Sequence, residues 1–145
     1  MVLMNDAVRR ILDDPNPAVL ATINPDGSPQ TSVVWVARDG GDLLVSSAAG
    51  RRKERNLRRD PRVSLTVYDP ADPQRYVEIR GRATVAEDIG RALAVSLAEA
   101  YEGPGAGQEY LELPPEVVRV VLRITAEHLT GTLTAEAVAA PAPAV

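Results

Sequence analysis

The chain has no cysteine and no phenylalanine, and only one tryptophan, one histidine and one lysine among its 145 residues. Without thiols it can form no disulfide, no thiolate nucleophile and no cysteine-ligated zinc site. The single histidine, His128, leaves only carboxylates as further metal ligands, and near the end of an apolar run it reads first as a surface or packing residue. Apolar runs are short: none approaches the ~18 residues of a membrane span. The opening Met1-Val2-Leu3-Met4-Asn5-Asp6 meets an acid without the basic-then-apolar order of a secretory leader. The expectation is a cytoplasmic protein with no membrane partner. Trp35, Tyr68, Tyr76, Tyr101 and Tyr110 are the only aromatics, too few for a base-stacking platform.

Positive charge is present but uneven. The formal net charge is -4, yet seven of the sixteen lysines and arginines fall between Arg51 and Arg62, among them the sole lysine, Lys53. A nucleic-acid binder usually carries a basic domain or stripe rather than one island, so no nucleic-acid partner is expected. A phosphorylated small molecule suits an island. The compact ammonium of Lys53 is a point charge for a phosphate, distinct in geometry from the guanidinium forks around it.

The length suits one compact domain, taken as residues 1–134, with the alanine- and proline-rich 135–145 as a disordered tail. Residues 3–13 place Leu3, Ala7, Val8, Ile11 and Leu12 on one helical stripe that Asp14-Pro15 stops. Residues 18–24 and 31–36 read as a hairpin around Pro25-Asp26-Gly27-Ser28. A third strand over 43–47 then delivers the chain to the cations. Residues 51–58 are good helix formers, with Arg51, Arg55 and Arg59 along one side and Leu57 on the packing side.

Strands follow at 63–68 and 76–85, the second interrupted by Gly81, where a bend or bulge is expected. A helix over 88–101 ends at Gly103-Pro104-Gly105. The last strand alternates Val118, Val120, Leu122 and Ile124 against Arg119, Val121 and Arg123. Antiparallel strands on short turns with about three marginal helices give a mainly β, α+β fold, a six- to seven-stranded antiparallel split β-barrel. No Gly-x-Gly-x-x-Gly follows a strand, so a Rossmann phosphate loop is not expected.

The segment Ser46-Ser47-Ala48-Ala49-Gly50-Arg51-Arg52-Lys53 runs from strand through tight loop to helix start. Two readings fit it. Serine hydroxyls, small residues, free helix N-terminal amides and cations make an anion pocket; alternatively this is a solvated basic helix whose arginines pair with the chain's own acids.

The strings Ala21-Thr22-Ile23, Pro25-Asp26-Gly27, Pro29-Gln30 and Ser32, followed by Arg51-x-Lys53-x-Arg55-Asn56-Leu57-Arg58-Arg59-Asp60-Pro61-Arg62-Val63, resemble the split-barrel flavin and deazaflavin oxidoreductases. That superfamily includes the pyridoxamine 5'-phosphate oxidases, and this chain is most similar to the actinobacterial subgroup that uses coenzyme F420. The resemblance spans about residues 5–130. It implies a homodimer with a cofactor at each subunit interface, F420 or alternatively FMN, its phosphate held by Arg51 and Lys53. By position it places Gln30, Ser32, Ser46, Ser47 and Ala48 along the ring and ribityl chain. Arg55 beside them suits the longer anion of F420, which carries a phosphodiester and an oligoglutamate tail. Trp35 and Tyr76 are the candidate substrate contacts, no residue stands out as a catalytic acid, base or metal ligand, and the chemistry would rest with the cofactor. The implied activity is hydride transfer between the deazaflavin and an unsaturated or quinone-like molecule. The alanine–proline ending differs from the substrate-binding segment that closes the pyridoxamine phosphate oxidases, which makes their substrate unexpected. The competing class is a non-catalytic flavin or F420 binder.

Overall fold

A computed structural model describes residues 2–135. Its frame is one seven-stranded sheet in which every pairing is antiparallel. Helix α1 (Asp6–Asp13) leads into β1 (Ala18–Ile23), β2 (Pro29–Val34), β3 (Val36–Asp39) and β4 (Asp42–Ala48). Helix α2 (Arg52–Arg59) precedes β5 (Arg62–Asp69) and the long β6 (Asp72–Glu87). Then come α3 (Ala92–Glu102), the short α4 (Gln108–Leu111), β7 (Arg119–Thr130) and α5 (Thr132–Ala135). The expected split-barrel architecture is therefore present.

The strand order β2-β1-β5-β6-β7-β4-β3 has β2 and β3 at its two ends. Those strands are consecutive, joined by Trp35 alone, so the sheet must curl back on itself to bring its edges together. The sequence reads 31–36 as a single strand, and the structure divides it. Side-chain alternation continues through Trp35, but β2 pairs with β1 whereas β3 pairs with β4. Trp35 stacks on Tyr101 of α3, ring centroids 5.3 Å apart. The Tyr101 hydroxyl donates to the Asn16 carbonyl at 2.8 Å and accepts from the Val36 amide at 3.1 Å, which ties the corner to α3 and to the entry of β1.

Alternation fills the interior. Leu20, Leu43, Val45, Leu65, Val67, Val77, Ile79, Leu122 and Ile124 are fully buried, with Val8 and Leu12 of α1 closing one side. Gly81 sits where the β6–β7 register shifts, Arg80 pairing with His128 and Gly81 with Ala126, so Glu127 is the extra bulge residue. A Cβ at Gly81 would lie 1.9 Å from the Thr125 carbonyl oxygen. The bend there is a close backbone approach that only glycine permits.

Two further boundaries differ from the sequence reading. The connection between the strands expected at 63–68 and 76–85 is a tight turn, because β6 begins at Asp72 with a register irregularity that accommodates Pro73. The helix expected over 88–101 starts properly at Ala92. Gly90 and Arg91 both take left-handed φ values, 67° and 58°, which breaks the first turn away as a 3-10 segment. Asp88 then caps α3, its carboxylate accepting from the Leu93 and Ala94 amides at 3.0 Å each. The tail expected from 135 lies outside the described residues except for Ala135, which ends α5. Among the described residues no helix is long and apolar enough to cross a membrane, and no group of histidine and acidic residues could hold a metal.

Candidate functional site

Where β4 ends, Gly50 turns the chain with φ 91° and α2 begins. Three buried residues fix this helix on the barrel: Glu54, Asn56 and Leu57. Glu54 reaches back to accept from the Gly50 amide at 2.7 Å and takes the Arg58 guanidinium at 2.5 Å. The Gly50 bond is the largest reason its carboxyl is held below the usual carboxylate range. Asn56, fully buried, donates to the Thr22 hydroxyl at 3.0 Å and to Asn24 Oδ1 at 3.1 Å. The Asn-Leu pair of the sequence motif is thus the helix anchor.

That anchoring sorts the cations. Arg58 pairs with Glu54, Arg62 with Asp60, and Arg59 donates to Asn56 and to the Ile23 carbonyl. The reading of a basic helix paired with its own acids holds for Arg58 and Arg62, while Arg59 is held by neutral oxygens. It does not hold for Arg51, Arg52, Lys53 and Arg55, which have no ion pair among the described residues. Arg51 and Arg55 are exposed, whereas Lys53 is half-buried.

Lys53 borders a cleft of about 190 Å³ lined also by Ser46, Arg119, Trp35, Val33, Val34, Ala94, Leu97 and Tyr110. Arg119, at the start of β7, was not singled out by the sequence. Its register partner is Ala48, so it rises on the same face as Ser46 and Ala48, away from the core. Its guanidinium donates to the Ser46 hydroxyl at 2.8 Å and lies over the Tyr110 ring at 5.1 Å. The only signal in the sequence was alternation, which put Arg119 opposite the buried Val120 and Leu122.

The electrostatics of this corner are one-sided. Burial pushes the Lys53 ammonium below its ordinary value, and the neighbouring charges of Arg51 and Arg119 push it further. Burial likewise lowers Arg119, with Tyr110 and Asp88 opposing and Arg51 and Arg91 adding. Lys53 and Arg119 therefore share the cleft within reach of the charge of Arg51, and none of the three has a carboxylate in ion-pair contact among the described residues. An anion is the missing partner by charge.

The other sequence candidates fall around this cleft unevenly. Gln30, Ser32 and Val34 share the inward face of β2. Gln30 accepts from Thr22 at 2.8 Å, so it joins the Asn56 network, while Ser32 Oγ is buried with no hydrogen-bond partner among the described residues. Arg119 Nε is the other such atom. Ser46 faces the cleft, but Ser47 turns the opposite way, 3% exposed, with its hydroxyl donating to the Ala48 carbonyl. Arg55 points to solvent on the outer side of α2. Tyr76 lies beside Gly131 and Thr132 and does not line the cleft. Orphaned donors and uncompensated cations are a donor set suited to a hydrogen-bond-accepting anion with an adjoining apolar body.

Comparison with known proteins points to the same corner of protein space. Residues 4–132 match the family model described as pyridoxamine 5'-phosphate oxidase. A pyridoxine/pyridoxamine 5'-phosphate oxidase of Bradyrhizobium diazoefficiens is 31% identical over 133 residues, 88% of this chain and 62% of that relative. The chain thus spans about three-fifths of the length of the curated relatives it matches. Among solved structures, an F420 reductase superposes with a TM-score of 0.75 at 32% identity, covering 88% of this chain and 98% of that one. A conserved hypothetical protein of Mycobacterium tuberculosis gives 0.70 at 29% identity, covering 88% and 84%.

Proposed function

The chain belongs to the pyridoxamine 5'-phosphate oxidase family, and from that premise we propose that it is an F420-dependent oxidoreductase that reduces an unsaturated or quinone-like small molecule. The observation that carries this reading is that Lys53 and Arg119 line one cleft, the charge of Arg51 acts on both, and none of the three has an ion pair among the described residues. Likeness to an F420 reductase over 98% of that chain supports the choice of cofactor.

In this reading Arg51 and Lys53 hold the phosphate, and the exposed Arg55 extends positive charge along α2 for a longer anion. Ser32 Oγ, Arg119 Nε and the Ser46–Arg119 pair supply the remaining donors. Gln30 and the backbone of Ser47 and Ala48 border the ring and its chain. The reduced deazaflavin, when bound, supplies a hydride. The protein's own part is to orient the ring, keep water out and seat the acceptor near Trp35, which the Tyr101 stack holds in place.

One chain does not enclose such a cofactor. The cleft of about 190 Å³ is below the ~300–1,000 Å³ common for ligand sites, and Val33 on its rim is 76% exposed. A second copy completing the wall is the arrangement we propose, with each cofactor at the interface of a homodimer. An FMN-dependent oxidoreductase is the second reading, favoured by the fact that Arg51 and Lys53 alone suffice for a single phosphate.

The test is titration with F420 and with FMN, followed by offering the reduced F420 complex a panel of unsaturated acceptors and watching the oxidised cofactor's absorbance return. The proposal expects tighter binding of F420 and acceptor-dependent reoxidation. Tighter FMN binding would transfer the assignment to the second reading, and F420 binding without turnover on any acceptor would make the protein a carrier.

A further inference from the structure

The chain between α3 and β7 reaches the cofactor cleft through Tyr110, whose ring lies over the Arg119 guanidinium at 5.1 Å. Apart from α4 this stretch is irregular, and its backbone bonds are largely local. The amides of Ala106, Gln108, Tyr110, Leu113 and Val117 all donate to carbonyls between Gly103 and Pro114. Such bonds shape a strap but do not decide where it lies. Two contacts with α3 and its first turn do. Gly107 packs against α3 so closely that a Cβ there would stand 2.5 Å from Val95 Cγ1. The other contact is Arg91.

The Arg91 guanidinium donates to the carbonyls of Tyr110, Leu113, Pro114 and Val117, at 2.9, 2.7, 2.7 and 2.9 Å. Nη1 serves the first two and Nη2 the last two, so all four terminal N–H groups are engaged. A planar fork can span four carbonyls in this way, whereas an ammonium has three donors on a single atom. Arg91 does this from a left-handed backbone, φ 58°, as the one non-glycine residue with positive φ among the described residues. That conformation costs energy and persists only where the surroundings impose it. Here the turn imposes it: the Arg91 amide donates to the Asp88 carbonyl at 2.9 Å, and the Asp88 carboxylate is fixed on the Leu93 and Ala94 amides.

Tyr110 is thus held at its carbonyl by Arg91 and meets Arg119 with its ring, while Arg119 donates to the Ser46 hydroxyl. A connected chain runs from the start of α3 into the cleft. Arg91 does not line the cleft, so any action on a ligand passes through Tyr110. We propose that Arg91 is a positioning residue of the cofactor cleft, whose four-carbonyl clamp sets the Tyr110 ring on Arg119 and so fixes the direction in which that guanidinium meets an anion. The effect on a cofactor rests on the F420 reading above; the link from Arg91 to Arg119 does not.

The link is read without ligand. The Arg119 Nε–H is buried with no hydrogen-bond partner among the described residues, so its proton is sheltered from exchange and its 15N–1H signal reports the Tyr110 ring current. Tyr110→Leu identifies that contribution by moving the signal. Arg91→Gly keeps the left-handed backbone without steric cost while deleting the fork, and Arg91→Lys keeps the charge but offers three donors where four are used. Both should move the Arg119 signal in the direction that Tyr110→Leu does, with the β1 and β5 amide signals unchanged as evidence of an intact barrel. F420 affinity should fall roughly 2- to 30-fold in Arg91→Gly, the scale of one lost cation–π contact at a desolvated site. Arg91→Gly combined with Tyr110→Leu should bind no more weakly than Tyr110→Leu alone, because one residue acts through the other. An Arg119 signal unmoved by both Arg91 variants, or losses of affinity that add in the double variant, would overturn the proposal. Failure of F420 to bind the unsubstituted chain would count against the cofactor reading alone, and the Arg119 signal would still decide the clamp.

Discussion

Replacing Asn56 by alanine separates what the basic motif does for the fold from what it does for a ligand. The Asn56 amide is fully buried and donates both its hydrogens, to Thr22 Oγ1 at 3.0 Å and Asn24 Oδ1 at 3.1 Å, while its oxygen accepts from Arg59 at 3.3 Å. Thr22 is itself buried and gives its proton to Gln30, so it cannot replace the missing donor by turning. Each lost bond is worth about 1 kcal/mol, and the acceptors left behind plus the small void add to this, for a total of about 2–4 kcal/mol. With ~2–4 °C per kcal/mol for a chain near this size, Tm should fall by roughly 4–16 °C. Asn56→Asp should cost at least as much, because acceptors would then face acceptors. Lys53→Met, one turn earlier on the same helix, should alter stability by less than about 0.5 kcal/mol. Urea unfolding monitored by circular dichroism reads all three. A loss below about 0.5 kcal/mol for Asn56→Ala would refute the anchoring role and with it the division of the motif.

Other substitutions test the frame and the charge. Gly81→Ala should abolish soluble expression or cost more than ~3 kcal/mol, since its Cβ would meet the Thr125 carbonyl at 1.9 Å; a normal urea midpoint would contradict the close approach. Tyr101→Phe removes the hydroxyl between Asn16 and Val36 but keeps the ring on Trp35, so about 1–3 kcal/mol of stability should disappear with Trp35 emission unchanged. Lys53 gives a pH test with two opposite signs. Its native pKa is lowered from 10.5, mainly by burial, so between the lowered value and 10.5 the unfolded chain binds more protons and native stability rises with pH. Anion affinity needs the ammonium and falls across that same window. Both slopes, taken as differences from Lys53→Met, should be seen in F420 titrations and unfolding curves as pH rises toward 10.5; parallel slopes would contradict the assignment.

Much of the fold could be read from local pattern. An apolar, partly β-branched run marks β1, alternation marks β5, β6 and β7, and Gly81 announced its bulge. The corner at Trp35 could not be read, because alternation runs on unbroken from Val33 to Val36 while the hydrogen-bond partner changes from β1 to β4. Partner choice is a property of the closed sheet. The start of α3 was misread because helix propensity over 88–101 is continuous, whereas Asp88 capping and the left-handed Gly90 and Arg91 set the boundary. The site divides in the same way. Lys53 and Ser46 could be found by motif, since strand end and helix start are adjacent in sequence. Arg119 could not, because it reaches Ser46 only through the pairing of β4 with β7. The inward turn of Ser47 follows from strand parity, once β4 is known to begin at Asp42.

The central claim is that Arg51, Lys53 and Arg119 together hold an anionic cofactor. Isothermal titration of F420 into the unsubstituted chain, Lys53→Met, Arg119→Met and the double variant tests it most directly. A charged hydrogen bond of about 1.5–3 kcal/mol predicts a weakening of roughly 10- to 100-fold for each single variant, with unchanged melting curves and a non-additive double variant because the two cations share one ligand. Affinity unaltered by both single substitutions would place the anion elsewhere and contradict the account.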